Sequence, residues 1–140
     1  MNRFVVDCSV TMAWCFEDEC DEYADAVLSS LASAEACVPS VWSLEVGNVL
    51  LVAERRGRIS VADSARFVQL LADLPIVVDL DDHLRIHGPV LELGRRSRLS
   101  AYDASYLDLA MRLGMPLATR DENLRTAASA NGVELFSPTD

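Results

Sequence analysis

Short apolar, β-branched runs alternate with longer helical segments along the whole chain, and this alternation constrains the fold more than any other feature. Arg3 to Asp7 reads as a first buried strand built on Phe4, Val5 and Val6. Ser9 or Asp7 is placed to cap the helix that follows. Asp21 to Ala36 has helical composition, and Cys37-Val38 forms a short second strand. Pro39 suits the first turn of a helix that runs to about Arg56 and stops at Gly57. Ser60 caps a helix to about Leu74, ended by Pro75, and Ile76 to Leu80 is strand-like. Asp81 to Ser97 is helical with a break or kink at Gly88-Pro89. Ser100 opens a helix that closes at Gly114, with Pro116 just beyond. Leu117 to Thr119 is a strand, Asp121 to about Ala130 a helix, and Val133 to Phe136 a last strand. This order predicts an α/β chain, a three-layer α/β/α sandwich with a central mainly parallel sheet, with residues 1–140 as a single domain. Ligands of such sheets bind outside the carboxyl ends of the strands, where Asp7 and Asp121 fall.

A chain of 140 residues buries roughly two-thirds of its unfolded surface, so it folds without disulfides or structural zinc. With 51% hydrophobic and only 6% aromatic residues, the core is aliphatic. Cys8, Cys15, Cys20 and Cys37 form no C-x-x-C pair and lie far from His83 and His87, so they read as free thiols and not as a zinc site. No apolar run approaches the ~20 residues a membrane span needs. The best one, Val41 to Ala53, is interrupted by Ser43, Glu45, Gly47 and Asn48. The stretch before Asp7 is too short and acidic for a secretory leader, so the expected location is the cytoplasm, with no membrane partner.

The net charge of −10 argues against a simple electrostatic nucleic-acid binder. All 12 basic residues are Arg, which excludes any mechanism that requires a catalytic lysine. Arg55-Arg56-x-Arg58 and Arg95-Arg96-x-Arg98 are clusters suited to phosphate by their guanidinium forks. Both also stand where helices end, so each serves equally well as dipole-complementing charge.

The acidic residues carry the chemistry. Asp7 follows three apolar residues and fits an Asx-turn or cap. Asp121 fits the N-cap of the last helix, and Asp103, three residues after Ser100, fits a capping box. Glu45 resists such a local explanation, because its helical neighbours Val41, Val49 and Val52 are apolar. Asp103 likewise shares its face with Tyr106, Leu107 and Ala110. Asp108, four residues before Arg112, reads as a surface ion pair, and Asp81-Asp82 and Glu17-Asp18-Glu19 as solvated ends or loops. Clustered carboxylates repel by around 4 kcal/mol per pair at about 4 Å. A hard divalent cation reverses that sign, and oxygen-only ligands suit Mg²⁺ or Mn²⁺. Such an ion orients a phosphodiester and activates water, so an acidic enzyme can bind RNA through metal-bridged phosphate plus local arginine.

An ordered series of segments resembles the PIN-domain ribonucleases, and within them the VapC-type toxins of toxin–antitoxin modules. It begins with Val5-Val6-Asp7-Cys8-Ser9 and Pro39-Ser40-x-Trp42-x-Leu44-Glu45-Val46-x-Asn48-Val49-Leu50. Leu74-Pro75-Ile76 and Leu99-Ser100-Ala101-Tyr102-Asp103-Ala104-x-Tyr106-Leu107 follow. Pro116-Leu117-Ala118-Thr119-x-Asp121 and Gly132-Val133-x-Leu135-Phe136 close it. The resemblance implies a Mg²⁺-dependent endoribonuclease (Mn²⁺ substituting) that cleaves RNA and inhibits translation, with Asp7, Glu45, Asp103 and Asp121 as catalytic and metal-binding residues. Asp7 and Asp103 match the metal ligands best, Asp121 the second-metal or water-positioning end, and Ser9 and Thr119 supporting hydrogen-bonding positions. It further implies a VapB-type antitoxin partner and a homodimer.

Two other acidic α/β classes, receiver-type phosphoacceptors and haloacid-dehalogenase-type phosphatases, need a lysine near the phosphate that this chain lacks. The phosphatase also wants D-x-D where this chain has Asp7-Cys8-Ser9. The remaining alternative is a PIN-like non-catalytic module that binds RNA or protein.

Overall fold

The computed structural model describes residues 2–138. Four strands form one all-parallel sheet: β1 (Asn2–Val6), β2 (Ala34–Pro39), β3 (Ile76–Asp79) and β4 (Leu117–Ala118), in the order β3-β2-β1-β4. Parallel neighbours need crossovers, and here they are α1 (Cys8–Ala13), α2 (Glu22–Ser30), α3 (Val41–Arg55), α4 (Val61–Asp73), α5 (His83–Arg85), α6 (Leu91–Ser97) and α7 (Ala101–Leu113). A last helix, α8 (Glu122–Ala130), follows β4. The expected α/β/α sandwich is therefore what the chain forms.

Phe4, Val5 and Val6 on β1, Ala36 and Val38 on β2, and Leu117 on β4 are fully buried between helices on both faces. Unbroken apolar strands are what a sheet covered on both sides requires. Gly114 ends α7 at φ 65°, a left-handed cap that glycine adopts without a Cβ penalty, as the Gly-then-Pro116 pattern implied. No helix among the described residues is long and apolar enough to cross a membrane.

Three details differ from expectation and one follows it. Strand β2 begins at Ala34, because small buried residues extend the pairing with β1 from Asn2↔Ala34 onward. Pro39 closes that strand, paired with Asp79, and does not open α3. The break expected at Gly88-Pro89 is present: a π-helical segment, Ile86–Val90, absorbs Pro89, whose missing N–H leaves the regular ladder open there. The expected strand over Val133–Phe136 reduces to one parallel bridge, Leu117↔Leu135, and Phe136 instead stacks on Phe4 with ring centroids 3.9 Å apart.

Candidate active site

The parallel register sets the site. Val5 pairs with Leu117 and Val6 with Ala118, so the next residues, Asp7 and Thr119, emerge side by side at the carboxyl edge. The Asp7 amide donates to the Ala118 carbonyl at 3.1 Å, continuing the ladder one step further. The Thr119 hydroxyl donates to Asp7 Oδ2. Asp7 Oδ1 accepts from Ser9 Oγ (2.7 Å) and from the Val10 amide (3.0 Å), which caps α1. Asp7 is 3% exposed, and burial raises its carboxyl to about 6. The hydrogen bonds from Thr119, Val10 and Ser9 oppose that shift, and the charge of Asp103 adds to it.

Ser9 and Thr119 each use both halves of a hydroxyl. Ser9 Oγ accepts from the Arg120 amide at 3.1 Å, and Thr119 Oγ1 accepts from the Asp121 amide at 3.0 Å. Together they clamp the Thr119–Asp121 turn to Asp7. Asp121 lies at the exposed end of this turn, where Oδ1 caps α8 by accepting from the Leu124 amide at 2.9 Å.

Glu45 and Asp103 approach from the helices that follow β2 and precede β4. The buried face of α3 is Trp42, Val46, Leu50 and Ala53, and Glu45 borders it. Val41, Val49 and Val52, expected to bury Glu45, are themselves only half-buried. Glu45 Oε1 accepts from the Tyr106 hydroxyl at 2.5 Å. Burial raises the Glu45 carboxyl, Tyr106 pulls it back, and the Asp103 charge raises it again. Tyr106 is 1% exposed, and a buried phenol needs a partner. Sequence reasoning placed Tyr106 on the face of Asp103 but missed this role. Its burial on an apolar helical face was the available signal.

The Asp103 amide donates to Ser100 Oγ at 3.1 Å, which is half of the expected capping box. The other half is absent: among the described residues the Asp103 carboxylate accepts no hydrogen bond, whereas Asp63 in the Ser60 box does. Burial raises the Asp103 carboxyl, and so does the charge of Asp121. Asp103 is thus the electrostatic centre of the group, coupled to Asp7, to Glu45 and to Asp121. Cys8 lies among Glu45, Asp7 and Asp103, and burial together with their charges pushes its thiol to about 12. It stays neutral and adds no charge at ordinary pH.

Arginines are spent elsewhere. Arg3, Arg58, Arg66, Arg85, Arg95, Arg112 and Arg120 pair with carboxylates, and among the described residues none pairs with Asp7, Glu45, Asp103 or Asp121. Asp108 is not a surface residue as expected. It is 6% exposed and accepts two bonds from Arg85 (2.8 and 2.7 Å), with Arg112 farther off at 3.9 Å. Asp81 and Asp82 are engaged as well, the first with Arg112 and the second capping α5.

The donor chemistry fits a hard cation: the free atoms are carboxylate oxygens, led by Asp103. Among the described residues no three His, Cys, Asp or Glu side chains are gathered closely enough to hold an ion by themselves. Mg²⁺ does not require such a cage, since it keeps several waters and takes one or two carboxylates directly.

Fold and site together are those of an α/β protein with an all-parallel sheet and an acidic group at its carboxyl edge. The chain belongs to the PIN-domain family, whose model matches residues 4–130. No curated protein sequence matches the chain significantly. Among solved structures it is similar to PAE2754 from Pyrobaculum aerophilum, at 25% identity and TM-score 0.68, covering 90% of this chain and 86% of that one. It is similar in fold to a toxin–antitoxin complex from Klebsiella pneumoniae, at 16% identity and TM-score 0.67, covering 98% of both chains. FitAcB from Neisseria gonorrhoeae shares the fold at 17% identity and TM-score 0.63, over 96% of this chain and 97% of the other.

Proposed function

We propose that the protein is a Mg²⁺-dependent endoribonuclease, with Mn²⁺ as a substitute, acting as the toxin of a toxin–antitoxin module. The observation that carries this reading is the group Asp7, Glu45, Asp103 and Asp121: carboxylates coupled through Asp103, none of them paired with an arginine among the described residues. Such a group is costly to keep unless a cation joins it. When bound, Mg²⁺ supplies charge neutralisation of a phosphodiester and a more acidic water.

Asp7 and Asp103 hold the ion in this reading, one rigid and one unencumbered. Asp7 is fixed by three hydrogen bonds, so its carboxylate has a single orientation. Asp103 is free to turn toward the ion. Glu45, steadied by Tyr106, and Asp121, steadied by Thr119, orient water at either side. A VapB-type antitoxin partner, a homodimer and inhibition of translation through RNA cleavage belong to the same proposal. The fold shared with a member of a Klebsiella pneumoniae toxin–antitoxin complex supports the antitoxin.

The test is incubation of the purified protein with total RNA, with and without EDTA. Cleavage by the wild type, abolished by EDTA and by Asp7→Asn, is expected. Identical RNA patterns for wild type and Asp7→Asn would reject the enzyme and favour a binding module. Expression without a partner is expected to arrest growth, and harmless overexpression of an RNA-cleaving protein would remove the toxin assignment.

A further inference from the structure

A cavity of about 640 Å³ opens between the end of α6 and α8, lined by Arg96, Arg98, Asn123, Thr126 and Asn131 together with two alanines of α8. Its position follows from the chain. Arg98 precedes Asp103 by five residues across the Ser100 cap, and Asn123 follows Asp121 by two in the first turn of α8. The cavity therefore follows α8 for about 12 Å, from Asn123 in its first turn to Asn131 at its end.

One observation sets it apart from an ordinary helix end. Among the described residues Arg96 and Arg98 pair with no carboxylate, as is also true of Arg55 and Arg56 at the end of α3, so the distinction lies in the backbone. Arg96 donates only to Asn131 Oδ1, at 3.1 Å. Arg98 is also the one non-glycine among the described residues with a left-handed backbone, at φ 55° and ψ 44°. Arginine costs about 1–2 kcal/mol there, where glycine or asparagine is the easy choice. Arg95 and Arg96 already complement the dipole of α6, so that role does not account for a third arginine in an unfavourable conformation.

We propose that this cavity binds a backbone phosphate of single-stranded RNA flanking the cleavage site, with Arg96 and Arg98 as the phosphate ligands and Asn123 and Thr126 as neutral donors. The proposal rests on the ribonuclease reading above. Guanidinium forks match phosphate oxygens. A cationic cavity flanking an acidic centre gives an acidic protein the local attraction that its net charge denies it. Arg96 and Arg98 are then positioning residues, remote from the reacting atoms.

The test compares the wild type with the double variant Arg96→Gln, Arg98→Asn on a labelled single-stranded RNA oligonucleotide in Mg²⁺. Glutamine keeps a donor for Asn131, and asparagine tolerates the left-handed backbone, so the melting temperature is expected to hold. KM is expected to rise about tenfold with kcat within about twofold, the pattern of lost uniform binding. The salt dependence of binding should fall by about 0.7 per lost phosphate contact. The pair Arg96→Lys, Arg98→Lys should keep that salt dependence. Unchanged KM and salt slope in a wild type that cleaves RNA would overturn the cavity while leaving the ribonuclease intact. Unchanged RNA binding with weakened binding of a poly-glutamate peptide would assign the cavity to an acidic protein segment instead and overturn the proposal. A wild type that cleaves no RNA would overturn the ribonuclease reading, and this proposal with it.

Discussion

Thr119 gives its hydroxyl hydrogen to Asp7 and takes the Asp121 amide on the same oxygen, so one side chain joins two of the acidic residues across the β1–β4 pair. Thr119→Val keeps the shape and removes both bonds. It leaves a buried carboxylate oxygen and an amide without partners, which costs about 1–3 kcal/mol. The melting temperature is expected to fall by about 3–6 °C, with Thr119→Ser restoring most of it. An unchanged Thr119→Val melt would show that the Asp7 oxygen finds solvent.

Asp7 makes the metal-free protein pH-sensitive. Its folded carboxyl titrates near 6 against an ordinary 3.8, so between these values the folded state holds more protons than the unfolded one. That contribution is complete below about 4 and is lost as pH rises through about 6, amounting to roughly 3 kcal/mol. Glu45 and Asp103 are raised too and act in the same sense. In EDTA the protein is expected to melt higher at pH 5 than at pH 7.5, with Asp7→Asn flattening the slope. A higher melt at pH 7.5 would contradict the burial of an ionised Asp7.

Asp103→Asn removes the charge shared by all the couplings while leaving the backbone cap on Ser100 intact. It is expected to raise the metal-free melting temperature and to abolish RNA cleavage. A lower melt would mean that the carboxylate stabilises the helix end, contrary to its lack of any hydrogen bond.

Tyr106→Phe deletes the bond that steadies Glu45. The loss in stability is expected at about 1 kcal/mol. Because the phenol holds the Glu45 carboxyl down, the acid limb of the cleavage–pH profile is expected to move upward. An unmoved limb with normal activity would show that Glu45 does not need this partner.

The contrast between Glu45 and Asp108 shows what was legible in the sequence. Strand ends, caps and the glycine after α7 follow from neighbouring residues, so the parallel α/β order, Asp7 beside the sheet edge and Asp121 at a helix start were readable. Glu45 stood out because an acid beside valines is unusual, but its partner Tyr106 lies 61 residues away and depends on how α3 meets α7. Asp108 was misread for the same reason: Arg112 is near in sequence, yet the two short bonds come from Arg85, 23 residues before it. The capping box at Ser100 was half right, because spacing fixes the amide that donates and does not fix where a carboxylate turns. Pro39 was misplaced because strand pairing with β3 extends through it.

The central claim is that Asp7, Glu45, Asp103 and Asp121 act as one cation site centred on Asp103. Titrating Mn²⁺ into the metal-free protein while following free Mn²⁺ by electron paramagnetic resonance tests it most directly. Saturable binding at pH 7.5, weakened below about pH 6 and lost in Asp103→Asn, is the expected result. Equal Mn²⁺ binding by wild type and Asp103→Asn would contradict it.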